Sequence, residues 1–152
     1  MYAGGTAGGI YKRVAGDGAG MVHVAIIGAY GSAGAAVAGE LVDEQSVEVT
    51  LVDDGDPGGG LCILKGCMPS KEVLSAGAHR FQARHDDRLA GSAPAVDLDA
   101  VVETKDEHIH GFAEHRRAGV HAMAENEGVE FLHERARFVD DGVIEVGDRT
   151  LD

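Results

Sequence analysis

Tryptophan is absent from this 152-residue sequence, and aromatic residues make up only 5% of it. Alanine, valine and leucine must therefore do most of the packing. Basic residues are also scarce: 13 Lys and Arg stand against 26 Asp and Glu, for a formal net charge of -13. A surface that tracks nucleic-acid phosphates needs clustered cations, so nucleic acid is excluded as a partner. The same balance argues against an anionic membrane surface. No apolar run reaches the roughly 18 residues of a membrane span. The first twenty residues hold seven glycines and no apolar stretch of signal-peptide type. Two cysteines without a secretory signal are poor evidence for a structural staple and better read as catalytic or redox-active. A cytoplasmic protein is expected.

What is present suits one domain with one core, since 44% of the residues are apolar. The acidic residues are spread along the chain. That fits either adaptation to a salty cytoplasm or an ordinary acidic protein. Residues 1–20 show no periodicity and are expected to form a flexible Gly-rich extension, with Met21 a candidate natural start.

Residues 21–152 read as the structured part. Val22–Ile27 is a short apolar run rich in β-branched residues and is expected as a buried parallel strand. Residues 32–44 are expected as a helix with small residues on its inner face, and Val47–Val52 as a second strand, completing a β-α-β unit. Turn chemistry fills 53–60, and a helical stretch follows to about Leu89. After a Ser/Pro/Ala linker at 91–96, a long helix is expected from Asp97 until Asn126 to Gly128 ends it. On it Leu98, Val101, Val102, Ile109, Phe112, Val120 and Met123 fall near a 3.6-residue period. Residues 129–133 and 136–139 form one bent strand or two short ones, and Asp140-Asp141-Gly142 turns into Val143–Val146.

The first strand runs into Gly28-Ala29-Tyr30-Gly31-Ser32-Ala33-Gly34. A dinucleotide pyrophosphate needs bare backbone N–H groups at a helix start. Strict GxGxxG spacing fails, because Tyr30 and Ala33 stand at its later positions. With one extra residue allowed, Gly28, Gly31 and Gly34 take the three roles. Asp53 closes the second strand, where a carboxylate can accept from a ribose. The plain alternative is a tight β-α turn that binds nothing. The turn does not choose between NAD and FAD.

Cys62 and Cys67 lie in Gly58-Gly59-Gly60-Leu61-Cys62-Ile63-Leu64-Lys65-Gly66-Cys67-Met68-Pro69-Ser70-Lys71. On an ideal helix, residues five apart sit roughly 8.7 Å apart at Cα, and a disulfide needs less than about 7 Å. The two can bond only if the helix is distorted between them, which Gly66 and Pro69 would permit. A short ring of this kind is readily reduced. The alternatives are two reduced core cysteines or half a metal site, though C-x4-C is not the usual zinc spacing.

This stretch resembles the redox signature GG-T-C-x4-C-x-P-S-K of the class I pyridine nucleotide-disulfide oxidoreductases, which include dihydrolipoamide dehydrogenase, glutathione reductase and mercuric reductase. The resemblance keeps the cysteines, their spacing, the proline, serine and lysine, and extends from about Val22 to the end. It implies an α/β, Rossmann-like FAD/NAD(P)-binding fold, of which this chain is the N-terminal part of the FAD domain with a small β-meander. It further implies that Cys62 is the interchange thiol, Cys67 the thiol beside the flavin, and Lys71 a stabiliser of negative charge on the ring. Gly28, Gly31, Ser32, Gly34, Asp53, Gly59, Gly60, Lys71 and the Ala136 backbone would contact FAD, with NAD(P) bound elsewhere in the complete enzyme.

The implied activity passes electrons between NAD(P)H, FAD, the disulfide and a dithiol or disulfide such as dihydrolipoamide, in a homodimer. A mercuric reductase-like enzyme and a non-catalytic nucleotide-binding module are the alternatives. Two features depart from the signature: Tyr30 inside the glycine turn, and Gly60-Leu61 in place of one threonine. The family's nicotinamide domain and its His base have no counterpart here, so the chain alone is expected to be inactive. His108, His110, His115 and His121 point in several directions on one helix and are expected to be solvated surface, with no metal.

Overall fold

A computed structural model describes residues 10–15, 21–89 and 91–151, with side chains described from Met21 onward. The organising element is a four-stranded sheet. Its strands are β1 (Ile10–Ala15), β2 (Val22–Ile27), β3 (Val47–Val52) and β4 (Val129–Leu132), in the spatial order β1-β2-β3-β4. Strands β2, β3 and β4 are mutually parallel, with Val24 opposite Val49 and Leu51 opposite Phe131. Helix α1 (Ser32–Leu41) makes the crossover from β2 to β3. Read from β4 to β2, the order matches the 3-2-1 half of a Rossmann sheet.

Two expectations at the ends of elements need correction. Ile10–Ala15 is a strand, antiparallel to β2, and not part of an irregular extension over 1–20. Ile10, Tyr11 and Val14 are good strand formers, and β2 offers them an edge to pair with. Residues 1–9 and 16–20 lie outside the described residues. Helix α1 stops at Leu41, short of the expected 44. Asp43 and Glu44 follow, and carboxylates at the negative end of a helix dipole favour termination.

Strand β3 is central and covered on both faces, so Val49, Thr50, Leu51 and Val52 are all buried, against the alternation its sequence suggests. Thr50 meets this burial by hydrogen bonding His23 Nε2 through Oγ1 at 2.8 Å. One core cluster, of Ile26, Ala29, Tyr30, Ala38, Val49, Leu51 and Val120, lies on the helix side of the sheet. A second, of Ala25, Val52, Ile144, Val146 and Leu151, joins the sheet to an antiparallel meander. The meander strands are β5 (Ala136–Asp140), β6 (Val143–Val146) and β7 (Arg149–Leu151). Residues 129–140 are thus two strands in two sheets, and β7 completes a sheet whose last strand the sequence pattern did not show.

Between β3 and β4 come α2 (Gly60–Leu64), α3 (Cys67–His85), a single 3-10 turn at Asp87–Leu89, and α4 (Leu98–Met123). The Asp97 carboxylate caps α4 by accepting from the Asp99 and Ala100 amides, each at 3.1 Å. Of the apolar positions expected to face a core, Val120 is buried with Ala113 beside it in the same helix, but Leu98, Val102 and Phe112 are exposed.

Candidate functional site

The glycine turn grows directly out of β2. Gly28 adopts φ 86°, a left-handed conformation that strains any other residue, and its amide bonds the Val52 carbonyl at 2.8 Å. The Gly31 amide closes the turn on the Gly28 carbonyl at 2.9 Å. Gly31 is then the N-cap of α1, which has no side-chain cap and no acidic residue in its first turn. Gly34 meets the strand end so closely that a Cβ there would lie 2.3 Å from the Gly28 carbonyl oxygen. The amides of Ser32, Ala33 and Gly34 have no acceptor within the helix and carry its positive end. An anion is the natural ligand of such a terminus.

Tyr30 does not obstruct this turn. Its side chain is 1% exposed, turned beneath the loop into the core. The hydroxyl and His121 Nε2 are 2.9 Å apart, and the ring sits 5.5 Å from that of Phe131. The backbone at Gly58 lies against the ring, where a Cβ would come within 2.9 Å of it. Burial pushes the Tyr30 phenol above its ordinary value, with Arg117 opposing and Asp53 and Asp56 reinforcing the shift. His121 is therefore a partner of the core and not solvated helix surface.

Asp53, at the end of β3, ties the turn to the loop that follows. Its Oδ2 accepts from the Tyr30 amide and its Oδ1 from the Gly55 amide, both at 2.8 Å. Each oxygen keeps a further lone pair. The loop then delivers Gly59, which is buried, and Gly60, with φ +69°. A Cβ on Gly60 would lie 2.8 Å from the Gly31 Cα, so the start of α2 is pressed onto the glycine turn.

Cys62 lies in α2 and Cys67 opens α3. The helix breaks between them at Lys65 and Gly66, and the Cα separation falls to 5.2 Å, within disulfide reach. The two sulfurs are bonded. Gly66 is required by proximity: a Cβ there would be 2.9 Å from the Leu61 carbonyl oxygen. Pro69 is in the first turn of α3, where its missing N–H costs nothing. The break therefore belongs to Gly66, and Pro69 sits in the first turn of the new helix instead of distorting the old one. The Ser70 hydroxyl can donate to the Gly66 or Cys67 carbonyl, both at 3.1 Å. Cys67 and Lys71 are exposed and one helical turn apart, while Cys62 is half-buried.

Ala136 opens β5 and, like Ile27 just before Gly28, packs against the cluster that holds Val52, the residue just before Asp53. One feature lay outside the sequence reading. Arg116 reaches from α4 to the glycine turn, with Nη1 at 3.3 Å from the Gly31 carbonyl and 3.5 Å from that of Tyr30. Nothing in a polar 26-residue helix singles it out by spacing. Among the described residues no cluster of three or more His, Cys, Asp or Glu could hold a metal. His108 pairs with Glu72 at 3.3 Å and His110 with Glu114 at 3.2 Å.

Comparison with known proteins agrees with this geometry. Residues 22–152 match the family described as pyridine nucleotide-disulphide oxidoreductase. Dihydrolipoyl dehydrogenase 2 of Haloarcula marismortui is 37% identical over 101 residues, covering 66% of this chain and 20% of that protein. Mercuric reductase of Shigella flexneri is 33% identical over 125 residues, covering 80% of this chain and 21% of that one. The chain thus spans about a fifth of the length of these relatives. In fold it is similar to the HOCl-induced flavoprotein disulfide reductase RclA of Escherichia coli, with TM-score 0.58 at 24% identity over 80% of this chain and 24% of that one. By the match over nearly its whole described length, the chain is a member of the pyridine nucleotide-disulphide oxidoreductase family.

Proposed function

We propose that this chain carries the FAD-binding turn and the redox disulfide of an FAD-dependent disulfide oxidoreductase that exchanges electrons between NAD(P)H and a dithiol or disulfide such as dihydrolipoamide. The observation that carries this reading is the Cys62–Cys67 bond, set in a helix break and joined to the glycine turn through Gly60. The residues present fit a dinucleotide. The first turn of α1 is bare of capping and acidic side chains, and Tyr30 points away from it. Ser32, Ala33 and Gly34 would hold the pyrophosphate, Asp53 a ribose hydroxyl, and the Ala136 backbone the adenine end. Gly59 and Gly60 keep side chains out of the path between the turn and the disulfide.

Bound FAD would supply the two-electron relay between nicotinamide and sulfur. The rest of the cycle belongs to the chain's own residues. Two electrons and two protons convert the Cys62–Cys67 bond into two thiols. The Cys62 thiolate attacks the substrate disulfide and releases one substrate thiolate. The Cys67 thiolate then attacks Cys62 Sγ, releases the second, and closes the ring again. Dihydrolipoamide oxidation runs these steps in reverse. Lys71, one turn from Cys67, places a cation where negative charge gathers. The complete protein is proposed to be a cytoplasmic homodimer. No described helix is long and apolar enough to cross a membrane.

The test is Cys67→Ser in the full-length protein. Loss of NAD(P)H-dependent disulfide reduction with FAD still bound supports the reading, and unaltered activity sinks it. Similarity to a mercuric reductase favours a second reading, in which mercuric ion is the substrate held by the thiols. Nicotinamide oxidation driven by mercuric ion but not by lipoamide would select it.

A further inference from the structure

We propose that Arg116 is the positioning residue of the nucleotide turn, fixing the direction of the amide that first meets the pyrophosphate; the inference rests on the dinucleotide reading above. A peptide group is planar and trans, so a carbonyl and the next residue's N–H point in opposite directions. Whatever holds the Gly31 carbonyl therefore aims the Ser32 amide. Whatever holds the Tyr30 carbonyl aims the Gly31 amide, which closes the turn on Gly28 at 2.9 Å. Arg116 reaches both carbonyls with one nitrogen, at 3.3 and 3.5 Å.

The Gly31 carbonyl also accepts the first bond of α1, from the Ala35 amide at 2.9 Å, and Asp53 holds the Tyr30 amide at 2.8 Å. Arg116 thus adds a second donor to Gly31 and a donor from a distant helix to the Tyr30 carbonyl. It bridges the two consecutive carbonyls of Tyr30 and Gly31 from α4. The neighbouring Arg117 leans towards Asp56 at 4.0 Å, but Arg116 makes no ion pair among the described residues. Among the described residues its charge has no carboxylate partner, in a chain of net charge -13. The remaining guanidinium donors are unused among the described residues, and they stand beside the helix terminus whose dipole already favours an anion. Holding the carbonyls needs a donor; leaving a positive charge there adds attraction for phosphate.

The experiment compares ADP with adenosine as probes of the complete chain, by calorimetry, alongside FAD binding and the melting temperature without ligand. Arg116→Met is expected to weaken ADP and FAD about tenfold, while adenosine changes by less than about twofold. Arg116→Lys keeps the charge but not the fork. It is expected to recover part of the ADP affinity, and it carries the test if R116M melts too low to measure. Equal losses for ADP and adenosine, or ADP binding unchanged in R116M, overturn the inference while wild-type binding leaves the dinucleotide reading standing. Wild-type protein that binds neither ADP nor FAD overturns that reading, and the inference with it.

Discussion

Truncating Tyr30 to alanine isolates the largest local consequence of how this turn is built. The side chain is 1% exposed and is the largest among the fully buried ones. It touches three parts of the structure that are distant in sequence: His121 of α4, Phe131 of β4 and the backbone at Gly58. Removing a buried aromatic ring costs about 3–5 kcal/mol, counting transfer and the cavity left behind. Its hydroxyl hydrogen bond contributes only about 1 kcal/mol net, so Tyr30→Phe should cost about that much. For a chain of this length, each kcal/mol lowers the melting temperature by about 2–4 °C. The expected drops are therefore about 2–4 °C for Tyr30→Phe and about 6–20 °C for Tyr30→Ala. Circular-dichroism melts of the three proteins measure this directly. Tyr30→Gly is the informative control, because it puts glycine at the second position of the strict spacing, leaving only Ala33 off it, while removing the ring. If Tyr30→Gly or Tyr30→Ala melts within about 2 °C of wild type, the ring is not a core element and the account of the turn is wrong.

Three further perturbations probe the same turn and the acidic surface. The Tyr30 phenol is raised by burial, so the folded state favours its neutral form. Its contribution should be complete below about pH 10, the unfolded value, and should fade as pH rises through the folded one. The stability gap between wild type and Tyr30→Phe, followed by urea titration from pH 8 to 11, should shrink above about pH 10; a gap that widens contradicts the shift. Gly34→Ala places a Cβ 2.3 Å from the Gly28 oxygen. It should cost about 1–3 kcal/mol and raise the FAD dissociation constant, and an unchanged fluorescence titration would count against the close packing of α1 on β2. The net charge of -13 implies self-repulsion that salt screens, so the melting temperature should rise between 0.1 and 1 M KCl; a fall would argue that attractive ion pairs dominate the surface.

Legibility in the sequence tracked the range of the interaction. Strands Val22–Ile27 and Val47–Val52 were readable, because β-branched runs bounded by glycine report on local burial. The order strand, glycine turn, helix, strand, acid was readable because each piece is set by residues local in the chain. The need for a distorted helix between Cys62 and Cys67 followed from helix geometry alone. The strand at Ile10–Ala15 was not legible, since its reason for existing is the free edge of β2. The exposure of Leu98, Val102 and Phe112 was missed for a related reason: a helical period marks a face, and only the neighbouring elements decide whether that face is covered.

The glycine turn divides in the same way. That Gly28 and Gly34 would serve it was set by sequence, because only glycine readily takes the positive φ of Gly28 or leaves room where a Cβ on residue 34 would lie 2.3 Å from the Gly28 oxygen. Where the Tyr30 side chain goes was decided by tertiary structure, since its hydroxyl partner stands 91 residues away in α4. Arg116 is the sharper case: 85 residues separate it from Gly31, and no spacing rule joins a mid-helix arginine to a loop carbonyl. The sequence determined that a glycine turn after a strand and a closely spaced cysteine pair exist. Packing of α4 over the sheet decided which distant side chains hold that turn in shape, because such contacts depend on how helices dock and not on the order of residues along the chain.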